Sequence, residues 1–307
     1  MTAFVIRRLA LLIPILLGVS FLVFGALYAV PGDAIDSMLA DAGASAAEVA
    51  RLRRQFGLDR PFLTQYWTFL SRAARGDFGR SIRLRVPVIE AIGTQLPATL
   101  ELTVASLVVA AVIGLSFGVV AAVRHGTWID TLTMMLSLVG VSMPIFWSGL
   151  LLIFLFSLKL GWLPAAGTGG FRALLLPAFT LGISAAAIIA RVTRSSLLDV
   201  LGQEYVRTAR AKGLVERLVV LRHAMRNALI SVVTIVGLQF GALLGGAVVV
   251  ETVFGRQGIG IMAADAIRTQ DFPMVQGTVM IASLAFVIVN LLVDLSYVWI
   301  DPRIHYA

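Results

Sequence analysis

The chain has no cysteine and only two lysines, Lys159 and Lys212. The first absence excludes disulfide staples, thiolate metal sites and cysteine nucleophiles, and it leaves the redox compartment open. The second excludes a phosphate-binding loop, since neither lysine closes a GxxxxGK sequence. Charge of either sign is scarce, at 14% of 307 residues, where soluble domains carry about a quarter. The three histidines, at 125, 223 and 305, show no metal-ligand spacing.

What fills the chain instead is apolar: 59% hydrophobic residues and a mean hydropathy of +0.92. This is the composition of an integral membrane protein. Apolar runs near 9–30, 98–123, 131–158, 174–190, 228–250 and 278–300 predict six spanning helices, because about 20 helical residues cross about 30 Å of hydrocarbon. The fourth run is the shortest, so its helix is expected to begin near Ala173 and let Arg191 snorkel to the interface. The first run exceeds the 7–15 residues or so of a cleavable signal core and reads as a retained helix rather than a signal peptide. Arginines in short loops and at span ends place Arg7, Arg8, Arg124, the 191–226 group and Arg303 in the cytoplasm, with both termini. The 31–97 segment falls outside despite nine arginines, because loops of that length translocate largely regardless of charge. Positive-inside topology and anionic headgroups account for the net charge of +8 without nucleic acid.

In the outer segment, helices are expected at Ala46–Phe56 and Phe62–Ala74, with a turn at Gly76–Gly79. It is either a docking surface for an external partner or a solvated cap. Glu101, Gln239, Asn290 and Asp294 lie in or near apolar runs, where an acid costs about 2.5–3.5 kcal/mol on insertion scales. Pro97 reads as a helix start, which would leave Glu101 stabilised in a first turn. Asp294 is expected to pair with Arg303 or a neighbouring subunit. Gly114 and Gly118 form a GxxxG, and Gly237, Gly241, Gly245 and Gly246 recur at about one-turn intervals, spacing that lets helices approach closely. The fifth span either packs in the bundle or lines a pathway with Gln239 as a polar contact. Ser142 and Pro144 mark a kink in the third span.

The strongest local signal lies at 191–226, with eight cationic side chains. Glu204–Lys212 can form a short helix, Gly213 breaks it, and Leu214, Leu218, Leu221 and Met225 then predict a second helix with one apolar stripe. Glu216, His223 and Arg226 fall opposite. The pattern fits either an interfacial anchor or a rigid knob for a cytoplasmic partner.

EYVRTARAKGL at 204–214, with HAMRNALISVV at 223–233, resembles the coupling motif of binding-protein-dependent ABC importer permeases of the dipeptide, oligopeptide and nickel family. RRLALLIPILLG at 7–18, PGD at 31–33, RGDFGRS at 75–81, LPATLEL at 96–102, GVSMPIFW at 140–147, LGWLPAAG at 160–167, GGAVVVETVFG at 245–255 and DPR at 301–303 extend the likeness, which is closest to the B-type subunit. The resemblance implies an all-α, six-helix fold of the type I importer permeases: one permease domain over 1–307, an extracytoplasmic region at 31–97, and a bundle at 98–300 that contains the cytoplasmic coupling loop 191–226. It implies a bacterial plasma-membrane, non-catalytic subunit for peptides, nickel chelates or peptide-like solutes. Its partners would be a homologous C-type permease, two cytoplasmic ATPases that bind ATP and Mg, and an extracytoplasmic solute-binding protein. Glu204, Tyr205, Thr208, Ala209, Arg210 and Gly213 would seat in the ATPase groove, and Gln239, Gly241, Gly245 and Glu251 would serve a pathway or gate. Two departures are Ile230-Ser231, where the family has Ile-Leu-Pro, and Gln257-Gly258, where it has Pro-Gly. An ion-coupled secondary transporter, the alternative from another class, would show intramembrane charge pairs or inverted half-repeats. A polytopic scaffold without transport would need no coupling bend.

Overall fold

The computed structural model describes residues 2–29, 51, 53, 54, 57, 59–167 and 169–300. The expected helix at Ala46–Phe56, the PGD turn and Arg303 lie wholly or mostly outside them, as does the side chain of Asp294. The helices in chain order are α1 (Thr2–Ala29), α2 (Phe62–Ala73), α3 (Val88–Val123), α4 (Trp128–Ser142), α5 (Ile145–Leu152, continued by a π-helical turn at Ile153–Lys159), α6 (Gly170–Leu201), α7 (Glu204–Ala211), α8 (Glu216–Phe254), α9 (Ile259–Arg268) and α10 (Phe272–Ile300). No strand occurs among the described residues. Helices are what a bilayer permits, since each satisfies its own backbone polar groups.

Five helices are long and apolar enough to cross a membrane, and the bent pair α4–α5 can supply a sixth. The kink expected at Pro144 is a full break, with the two segments meeting at 105°. Proline lacks an N–H and pushes the preceding residue out of helical geometry; Met143 accordingly sits at φ −78, ψ 128. The Pro144 carbonyl then accepts the N–H groups of Trp147 and Ser148 and starts α5.

The chain forms two compact units, one of residues 1–98 with 257–287 and one of 99–256 with 288–307. In the first, α2 lies on α1 through edge-on ring contacts of Phe62 and Tyr66 with Phe21, Phe24 and Tyr28, and a tilted contact of Phe69 with Phe24. Glycines with positive φ at 76 and 79 close the expected turn. The loop that follows is held by Asp271, which is buried and accepts hydrogen bonds from the Ser81 hydroxyl and from the N–H groups of Ile82 (3.2 Å) and Arg83 (3.3 Å).

In the second unit, α6 is the most enclosed element. Leu181, Ala185 and Ile189 share a core with Leu102 and Ala110 of α3 and with Leu243, Ala247 and Val250 of α8. The GxxxG lies against α6 so closely that a Cβ on Gly114 would stand 2.7 Å from Ile189 Cβ, and one on Gly118 2.5 Å from Thr193 Cβ. Gly182 of α6 answers in kind, its missing Cβ being 2.7 Å from the Ser106 carbonyl of α3. Lipid tails are as apolar as leucine, so this contact surface, not hydrophobic exclusion, holds the bundle.

Three expectations fail here. α6 does not end at Arg191 but continues to Leu201: Arg191 stays exposed, while Arg194 is drawn into a bidentate pair with buried Asp130 at 2.6 and 2.7 Å. α3 begins at Val88, so Pro97 and Glu101 lie inside it and Glu101 is not in a first turn. The leucine stripe after Gly213 is only partly the packed face: Met225 is buried and Leu214 and Leu218 are half-buried, but Leu221 is turned out. α8 starts at Glu216 as one continuous helix, and its π-helical turn at Val219–Ala224 inserts an extra residue that shifts the register. Val219, Val220, Ala224, Met225 and Ala228 are therefore buried, and Leu221 is 53% exposed.

Candidate functional site

The segment from Gln203 to Glu216 forms a short arm whose inner face is apolar. Val206 and Ala209 of α7 pack on Val219, with Val200, Leu201 and Leu214 around them. Gly213, at φ +77, stops the helix: its N–H bonds the Arg210 carbonyl at 2.9 Å and the Leu214 N–H reaches the Ala209 carbonyl at 3.4 Å. This is the paired-bond termination that glycine alone adopts without strain, and Leu214 provides the apolar contact that accompanies it. Across the bend, Arg210 grips Glu216 with two hydrogen bonds of 3.0 and 2.6 Å, and that carboxylate raises the pKa of Arg210 above its usual value. The Tyr205 hydroxyl accepts from Asn227 Nδ2 at 2.7 Å and donates to the His223 carbonyl at 3.4 Å. α7 is thus tied to α8 at both ends.

These ties sort the six residues expected to meet a partner. Glu204, Thr208 and Gly213 are exposed, as are their neighbours Arg207, Ala211 and Lys212. Arg207 pairs with Glu204 at 2.8 Å. Tyr205 and Arg210 brace the arm, and Ala209, only 7% exposed, faces inward. Nothing in the leucine periodicity pointed to Asn227 as the partner of Tyr205.

The other candidates lie along α8. Gln239 is buried, Gly245 is exposed with open space at its Cβ position, and Gly241 is half-buried between them. Gly237 and Gly246 are packing glycines, pressed on Val293 and Leu181. Glu251 is fully buried and accepts the Thr99 hydroxyl. Just beyond it, Gly255 at φ +58 ends α8, and the Arg256 N–H bonds the Glu251 carbonyl at 2.9 Å. That turn carries the Arg256 side chain, 1% exposed, into an ion pair with Glu101. Glu101 is therefore held by a cation from the far end of α8, and no local signal in the sequence could have shown it. Asp271 did leave one: it directly precedes Phe272-Pro273, the pattern of a helix cap.

Residues 114–306 match the family model for the binding-protein-dependent transport system inner membrane component, and residues 1–103 match the N-terminal model of such components. The chain belongs to this family. The resemblance seen in the coupling motif thus extends to the whole chain, which is a non-catalytic permease subunit of an ABC importer. This permease is 45% identical over 306 residues to the glutathione transport system permease protein GsiC of Escherichia coli (strain K12), with 100% of both chains covered. The protein of that name from Shigella flexneri serotype 5b is equally similar. Among solved structures, the inward-facing MetNI methionine ABC transporter superposes with a TM-score of 0.57 at 19% identity, covering 69% of the permease and 97% of that chain. An amino acid ABC transporter gives 0.53 at 17%, covering 67% and 92%. At such identities these show the fold alone, and it is that of the ABC importer permeases.

Proposed function

We propose that this permease is half of the translocation pathway of an ATP-driven importer for a peptide-like solute, a short peptide or a glutathione-like tripeptide. The observation that carries the reading is the braced arm at Gln203–Glu216, which presents Glu204, Arg207, Thr208, Ala211, Lys212 and Gly213 outward. A homologous permease would complete the pathway, two cytoplasmic ATPases carrying ATP and Mg would grip the arm, and an extracytoplasmic binding protein would deliver the solute. Tyr205 and Arg210 transmit the motion: closure of the ATPases displaces α7, and the ties to Asn227 and Glu216 pull α8 with it. The arginine distribution supports an arrangement with both termini and residues 191–226 in the cytoplasm and 31–97 outside. Gln239, Gly241 and Gly245 along α8 are the candidate pathway residues, and Glu251 is a candidate gate element behind them. Full-length similarity to permeases named for glutathione transport favours the peptide-like solute over nickel chelates.

The test is uptake by cells lacking the gene, with and without a plasmid copy, of labelled glutathione, dipeptides and nickel. Restored uptake of glutathione or dipeptide supports the reading. Restoration of nickel uptake alone would move the solute to a metal chelate.

A further inference from the structure

Helix α2 uses one face, Phe62, Tyr66 and Phe69, to hold α1. A second face is open: Leu63 and Trp67, one turn apart, are each 70% exposed. Arg60 precedes this face and Arg72 and Arg75 follow it, all three exposed and none in an ion pair among the described residues. From Arg60 to Ile89 the only acid is Asp77, and it is turned to the Gly79 N–H at 2.8 Å; Asp59 adjoins Arg60. We propose that this face, Leu63 and Trp67 flanked by Arg60, Arg72 and Arg75, is a membrane-docking surface for anionic phospholipid.

The level of α2 is set by α1, a spanning helix. The Phe62 ring meets Phe21, Phe24 and Tyr28 at 5.8, 5.2 and 5.1 Å, and the Tyr66 hydroxyl donates to the Leu17 carbonyl at 3.3 Å and lies 3.0 Å from the Ser20 hydroxyl. α2 therefore crosses the C-terminal part of α1. At that same level α1 turns Leu22 outward, 71% exposed, an apolar side chain suited to lipid contact in a spanning helix. A tryptophan there is placed as interfacial tryptophans are, with its ring body in the acyl boundary and its N–H toward the headgroups. An amphipathic helix seats its apolar face about 5–10 Å into that boundary and keeps its cations at the phosphates. The planar fork of arginine matches a phosphate oxygen pair, and Arg72 in the last turn of α2 is favoured there by the helix dipole. The surface continues the lipid-facing side of α1 and carries the charge that complements an anionic headgroup. An acidic protein surface would be complemented by the arginines but would leave no reason for Leu63 and Trp67 at the level of Leu22.

Because this chain has no cysteine, it can be labelled at one position before its partner subunits are added. The complete transporter, with a nitroxide on Trp67→Cys, is placed in nanodiscs of phosphatidylcholine with phosphatidylglycerol. The label is expected to be relaxed by oxygen more strongly than by a water-soluble nickel chelate. Native mass spectrometry of the unlabelled complex is expected to show retained phosphatidylglycerol that falls about fivefold for each of Arg60→Gln, Arg72→Gln and Arg75→Gln, and falls less for the matching Arg→Lys variants, which keep the charge but lose the fork. A label relaxed mainly by the chelate, or phosphatidylglycerol retention unchanged in the triple glutamine variant, would overturn the proposal. If that variant instead lost affinity for the soluble binding protein with lipid retention intact, the surface would belong to a protein partner and not to lipid.

Discussion

At the scale of single residues, the glycines of this permease do different jobs, and their surroundings separate them. Gly213 needs its left-handed φ, yet nothing stands within 4 Å of the position its Cβ would take. A Cβ there costs about 1–2 kcal/mol of backbone strain and meets no atom of its own chain. Gly213→Trp should therefore insert and assemble normally and fill the space a partner needs. The expected result is ATP hydrolysis by the reconstituted complex that no longer tracks uptake, and unchanged uptake would refute the role of the arm. Gly118 is the opposite case. Its Cβ would lie 2.5 Å from Thr193 Cβ and 2.7 Å from the Ala190 carbonyl, so Gly118→Ala forces α3 and α6 apart. The melting temperature of the detergent-solubilised chain should fall for Gly118→Ala and stay near the parent for Gly245→Ala. Loss of uptake in the stable Gly245→Ala variant would then report a pathway or subunit contact.

At the scale of elements, the proposed lever role of α7 depends on its being fastened. Packing by Val206 and Ala209 sets its inner face, but a short helix on a narrow apolar patch can still roll, and the Tyr205–Asn227 hydrogen bond opposes that. Tyr205→Phe keeps the ring and removes the hydroxyl, which costs about 0.5–1.5 kcal/mol. That is small beside the stability of a bundle, so expression and melting should change little. Coupling should suffer more, seen as a lower ratio of solute imported to ATP hydrolysed; an unaltered ratio would show that the packing alone transmits the stroke. What the sequence made legible follows the same division. Signals carried by one residue's own backbone were readable: the stop at Gly213, a bend at Pro144, though not its 105° size, and the helix beginning at Phe62. Features that depend on a distant element were not. Pro97 looked like a helix start because Val88–Gln95 is weakly apolar, and Arg191 looked like a helix end because the partner of Arg194, Asp130, lies on α4. The leucine stripe was a true period-3.6 pattern, but one π-helical turn at Val219–Ala224 moved Leu221 off the packed side.

At the scale of the whole molecule, the arm and the arginine loop at 80–85 must lie on opposite sides of the membrane if the importer reading holds. The exposed cations alone do not separate the sides, since Arg80, Arg83 and Arg85 crowd one loop and Arg207, Arg210 and Lys212 the other. The length of each segment does: positive residues hold back short loops, and 31–97 exceeds the roughly 60 residues over which the rule has force. A cysteine-free chain permits single labels at Leu84, which is 55% exposed on the stapled loop, and at Ala211 on the arm. Neither position makes a hydrogen bond through its side chain, so Leu84→Cys and Ala211→Cys should support uptake. A membrane-impermeant maleimide is expected to modify Leu84→Cys in intact spheroplasts and Ala211→Cys only after permeabilisation. The reverse pattern would put the arm outside, where no ATPase could reach it, and would remove the mechanism while leaving the fold untouched.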